Sequence, residues 1–136
     1  MNPAHLHLLL NHFPIATLLF GFFILAASRI LRNETITRVA LSILIVGGAA
    51  GIAAFLTGDP AADSLKPYPE PAATLKQLIH QHEQAADFGL WSTIITACVA
   101  ALGLYISKKR GSIPRGYLIF IFVINFWALT VAAQVN

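Results

Sequence analysis

Four apolar runs, each about twenty residues long, leave this chain few ways to fold; they lie near 8–28, 36–57, 85–106 and 115–135 of its 136 residues. A helix rises about 1.5 Å per residue, so twenty residues match the ~30 Å hydrocarbon core of a bilayer. Lipid offers backbone N–H and C=O groups no partner, so each run must satisfy its own, and a helix does that. Charged residues make up only 11% of the chain, where a soluble domain carries about a quarter. The expectation is an all-α membrane protein, a four-transmembrane-helix bundle. One membrane domain should cover 1–136, with an outer loop at about 58–84 between the second and third spans.

The boundaries follow from local chemistry. Arg29 and Arg32 close the first span, and Pro14 gives it two readings. Pro14 is either the first residue of the helix, where its missing N–H costs nothing, or it kinks a helix that began near Pro3. The run lacks a basic leader and reads as a retained helix rather than a cleaved signal. Gly58-Asp59-Pro60 should stop the second span. Lys66-Pro67-Tyr68-Pro69-Glu70-Pro71 reads as extended. A helix should restart near Ala72 as a polar lead-in to the third span, which Lys108-Lys109-Arg110-Gly111 closes. Trp91 and Trp127 suit either the interfacial belt or the interior. The lone Cys98 excludes an intrachain disulfide and reads as a small packing residue.

Gly47, Gly51 and Ala54 fall on one face of the second span. Small residues at this spacing admit a neighbouring helix or a flat ligand close to the backbone. The same face is the natural seam if two copies pair.

Charge gives an orientation. The first loop carries Arg29, Arg32 and Arg38 against Glu34, and the third carries Lys108, Lys109, Arg110 and Arg115 with no acid. The middle loop carries Asp59, Asp63 and Glu70 against Lys66. By the positive-inside rule the two basic loops are cytoplasmic, and both termini are outer, or periplasmic. The net charge of +3 is small, and no nucleic-acid partner is expected.

All five histidines then come to one membrane face: His5, His7 and His12 open the first span, and His80 and His82 precede the third. Positions seven apart on a helix realign to within about 20°, so His5 and His12 share a face while His7 points nearly opposite. His80, Glu83 and Asp87 form one stripe; His82, Ala86 and Gly89 form another, whose small residues leave room beside the imidazole. His12 and His82 are the expected inward pair. An ionisable side chain within a membrane is costly without a partner and marks a functional site. A haem iron is such a partner, and its porphyrin fills space between helices.

Two other readings use the same residues. In one, a copper, zinc or iron ion is bound by His80, Glu83 or Asp87 together with His5, His7 or His12. In the other, the histidines are solvated groups at the boundary and the acids merely suit a helix start. Glu83 and Asp87 could also fix an imidazole tautomer by accepting its second N–H.

The run ending His12-Phe13-Pro14-Ile15-Ala16, the four spans and the later histidine group resemble a family of small bacterial membrane proteins long catalogued as a domain of unknown function. The resemblance covers essentially the whole chain, with His82 at the matching position of the second group. Members also occur joined to Rieske-type iron–sulfur domains, which implies redox work at the outer face. This chain has no cysteine set for such a cluster, so a redox partner would be a separate subunit or a quinone.

These readings converge on a haem b protein of the bacterial inner membrane, with its site facing the periplasm. The chemistry expected is electron transfer, from a quinol or an adjoining redox subunit to an external acceptor, rather than stand-alone catalysis. His12, His82 and alternatively His5 would be axial, beside Gly47, Gly51, Ala86 and Gly89. The small size suits a homo-oligomer or a subunit of a complex.

Overall fold

A computed structural model describes residues 2–64 and 72–135, without the side chains of 72–76 and 134–135. The proline-rich segment 66–71 lies outside the described residues. Five helices follow in order: α1 Pro3–Ile30, α2 Glu34–Leu56, α3 Gly58–Asp63, α4 Ala72–Arg110 and α5 Arg115–Val135. Four of them are long and apolar enough to cross a membrane.

Asn2 caps α1, its side chain accepting from Ala4 N–H at 3.0 Å, with Pro3 in the first turn. The helix runs through Pro14, so the longer of the two sequence readings holds. Arg32, at φ 50°, makes the turn into α2. Asn33 caps that helix, accepting from Thr35 and Ile36 N–H at 2.9 and 3.2 Å. Gly58-Asp59-Pro60 does not leave open loop, because after the turn at Thr57 the chain winds again into the six-residue α3. Helix α4 begins at Ala72, as the lead-in required. Its 39 residues span about 58 Å, well beyond a ~30 Å core. Gly111, at φ 78°, ends it in the left-handed conformation that favours glycine.

The long helices pack in the ring order α1–α2–α4–α5, and α5 closes back on α1. Each presents an interior stripe with alternating steps of three and four residues, the spacing of near-parallel helix packing. On α1 the buried stripe is Pro14, Leu18, Gly21, Leu25 and Ser28; on α5 it is Leu118, Ile121, Asn125, Ala128 and Ala132. On α4 it is Thr93, Thr96, Ala100, Gly103 and Ser107, all small or hydroxylic. Helices in lipid gain little from burying leucine against leucine, so close approach of small residues carries the packing.

The small face of α2 serves that purpose within the chain. A Cβ on Gly47 would lie 2.5 Å from Thr17 Oγ1 of α1, and one on Gly51 would lie 2.5 Å from Thr93 Oγ1 of α4. The face that a second copy would use as a seam is therefore occupied by the chain's own helices. Cys98 is also placed differently from the expectation, being exposed on the outside of the bundle. Trp91 and Trp127 are exposed there too, as groups facing lipid or the interface would be.

The two ends of the bundle differ in polarity. At one end Thr37 Oγ1 donates to Ser28 Oγ at 3.0 Å, both fully buried, and Arg38 Nε donates to Ser107 Oγ at 2.9 Å. Arg29, Lys108, Lys109, Arg110 and Arg115 surround this basic end. The start of α1, the end of α2, α3 and the histidines of α4 make the other.

Candidate functional site

The site is built where the interior stripes of α1 and α4 run on past the packed core. Continuing the α1 stripe outward from Pro14 gives Asn11, His7 and Ala4. Continuing the α4 stripe from Thr93 gives Gly89, Ala86 and His82. His7 and His82 thus meet diagonally across the ring, with ring centroids 6.3 Å apart and planes inclined at 85°. The N-terminal imidazole that faces His82 is His7, and not His12. His5 and His12 share a face, as the spacing required, but both are exposed on the outside of α1.

His7 is held in one orientation. Its Nδ1 lies 3.1 Å from the Ala54 carbonyl oxygen and 3.1 Å from Thr57 Oγ1. The carbonyl can only accept. The Thr57 hydroxyl hydrogen is directed at the Ala54 or Ala53 carbonyl, at 2.8 and 3.2 Å. Both neighbours therefore accept from Nδ1, which must carry the proton. In the neutral ring Nε2 is then left with its lone pair. This is the arrangement by which proteins orient a ligating imidazole, one nitrogen tied to a carbonyl and the other offered outward.

A cavity of about 650 Å³ adjoins the pair, within the 300–1,000 Å³ range of small-molecule sites. Its walls are apolar, from Leu8 on α1, Phe55 on α2 and Leu78 and Ile79 on α4. Small residues make the room, among them Gly58, Ala61 and Ala62 on and beside α3 and Ala86 on α4. Asp59, Glu83 and Asp87 add three carboxylates. Deeper in the bundle, His7 also borders a second space of about 50 Å³ with Asn11, Gly51, Gly89 and Thr93.

The other sequence candidates fall outside this arrangement. His80 points away; its Nε2 is 3.2 Å from Gln84 Nε2, and its Nδ1 is 3.8 Å from Glu83. Gly47 is packed against Thr17, away from both cavities, so it serves helix contact. Among the described residues no three of His, Cys, Asp and Glu converge as a metal-ion site.

Sequence reasoning missed two parts of the site. One is the wall from α3, since Gly58-Asp59-Pro60 read as a stop and not as the start of another turn of helix. The other is the inward place of His7, which the sequence offered only as an alternative metal ligand while His12 was expected to face His82. The signal for it was available: His7, Pro14, Gly21 and Ser28 recur every seven residues, and the last three are buried. No known protein family, curated protein or solved structure matches the chain.

Proposed function

We propose that this protein is a membrane-embedded haem b protein that transfers electrons at one face of the bilayer, with His7 and His82 as axial ligands. The reading rests on the 6.3 Å separation of the two rings beside a cavity of ligand size. Two imidazoles gripping one metal ion from opposite sides, each with a nitrogen about 2 Å from it, stand about 6 Å apart between centroids. The proton on His7 Nδ1 leaves Nε2 free to ligate, and the apolar walls suit a porphyrin.

The number of ligands favours haem over a bare ion. Haem iron asks the protein for one or two axial groups, whereas a zinc, copper or iron ion asks for three or four. Two imidazoles meet the first demand and not the second. The three carboxylates make the surroundings negative, which favours the oxidised, more positive state of a bound iron. By the positive-inside rule, the basic loops support a site on the periplasmic side of a bacterial inner membrane. A quinol or an adjoining redox subunit would be the donor.

The absorption spectrum of detergent-purified protein tests this. Haem gives a Soret band and, on reduction, sharp alpha and beta bands. His82→Ala should abolish them. A colourless wild-type protein carrying stoichiometric zinc or copper would replace this reading with the metal-ion one. A colourless, metal-free protein that regains no bands on adding haemin would overturn both.

A further inference from the structure

At the basic end, far from the histidines, a groove of about 510 Å³ runs along the outside of α2. Its α2 wall takes residues from Thr35 to Val46 in steps of three and four, a stripe about 16 Å long. One end carries two cations, Arg38 and Lys108. Val39, Ile43 and Val46 from α2 and Leu104 from α4 supply its apolar lining, with the hydroxyl residues Thr17, Thr35 and Ser42 among them. No acidic residue lines it.

Arg38 is fixed in place. Nε donates to Ser107 Oγ at 2.9 Å and Nη2 to the Ser107 carbonyl at 3.3 Å, while Ser107 is fully buried. Neither bond uses Nη1. A guanidinium held by one edge keeps donors for a phosphate oxygen, and little entropy remains to be lost when it binds one. Lys108, one residue beyond Ser107, is exposed and adds a second charge.

We propose that this groove holds one anionic phospholipid of the surrounding bilayer, its phosphate on Arg38 and Lys108 and an acyl chain along Val39, Ile43 and Val46. The charge asymmetry selects the occupant. A zwitterionic lipid brings an ammonium group to a site with no acid to receive it. A second copy of the chain would bring its own basic loops against these cations. Basic pockets between membrane helices commonly take anionic headgroups in this way.

Native mass spectrometry of detergent-purified protein tests the assignment, with phosphatidylglycerol and phosphatidylcholine added in turn. One retained phosphatidylglycerol per chain is expected, with affinity about tenfold above that for phosphatidylcholine, as for one charge-assisted contact. Lys108→Gln should reduce that preference, and Val46→Trp should block retention by filling the groove. Both residues are exposed, so neither change disturbs the core, whereas Arg38→Ala also removes the Ser107 contact. Inorganic phosphate should not compete, since it lacks the chain. Equal retention of the two lipids, wild-type retention in both variants, or displacement by phosphate alone would overturn the proposal, as would a dimer whose mass excludes the lipid. Any pigment belongs to the opposite end and should be unchanged in these variants, so the lipid and haem readings fail separately.

Discussion

At the basic end of the bundle Thr37 donates to Ser28, and Arg38 closes on Ser107. At the histidine end His7 and His82 face each other beside a cavity of about 650 Å³. Both ends place polar side chains on the interior stripes of the same helices. At the basic end helix is tied to helix directly through Ser28, Thr37 and Ser107, and Arg38 also lines the groove outside α2. At the histidine end one imidazole nitrogen is tied down and the other is not, and small residues hold the walls apart. A polar group in a membrane interior needs a partner. Whether the chain supplies every partner separates a structural contact from a candidate binding site.

The largest expected effect breaks this comparison outright if it fails. His7→Ala should remove bound haem as completely as His82→Ala, while His12→Ala, His5→Ala and His80→Ala should leave the spectrum near that of wild type. Pigment per mole of purified protein measures it. Loss in His12→Ala with retention in His7→Ala would mean that the exposed imidazole, and not the one tied to Ala54, is the ligand.

The next effect lies in the middle of the bundle, where the helices are closest. Gly47→Leu would push a side chain into Thr17, whose Oγ1 already stands 2.5 Å from where the new Cβ would sit. Overpacking of this kind costs about 1–3 kcal/mol or more. A fall in melting temperature checks it, and Gly116→Leu is the control because nothing lies within 4 Å of its Cβ position. Equal melting of the two variants would mean that α1 and α2 do not approach here as described.

At the basic end, Ser107→Ala leaves the Arg38 Nε donor without its partner while keeping the backbone contact. Removing one partner of a half-buried charged donor costs about 1–3 kcal/mol. Denaturation should report that loss, and the spectrum should not change. A spectral change would mean that the two ends are coupled and cannot be treated as separate devices.

Much of the fold could be read from the sequence because lipid permits few alternatives. A twenty-residue apolar run in a bilayer has to be a helix, and four crossings bring the starts of α1 and α4 to the same end. That reasoning placed both histidine groups correctly at one end of the bundle. It did not determine which imidazole turns inward. Rotation about the axis of α1 is set by small residues that approach other helices, such as Gly21 against Leu44, and not by the apolar residues that fill both faces. Depth along the run favoured His12. The seven-residue recurrence of Pro14, Gly21 and Ser28 carried the rotational information, and His7 is in phase with it. On α4 the stripe of His82, Ala86 and Gly89 could be read from its small residues; Ala86 and Gly89 are half-buried, and His82, beyond them, is exposed beside the cavity. The six-residue α3 could not be read, since glycine and proline signal a stop whether or not the chain winds again afterwards.

One substitution made at both ends gives the smallest effect and the finest discrimination. Thr37→Val removes the donor to Ser28 at a fully buried position. Ser28 Oγ still donates to the Leu25 carbonyl at 2.6 Å, so the loss should be about 1 kcal/mol, that of a single hydrogen bond. It should be visible in melting and absent from any spectrum. Thr57→Val removes the second acceptor of His7 Nδ1 at a half-buried position and leaves the Ala54 carbonyl in place. Its cost in stability should be no larger. However, the imidazole loses part of the hydrogen bonding that raises its basicity as a ligand. A weaker donor favours the ferric state less, so the midpoint potential of a bound haem should rise in Thr57→Val and stay fixed in Thr37→Val. If both variants shift stability alone, His7 closes the end of α2 as Thr37 closes the turn below Ser28, and the two ends of the molecule are chemically alike.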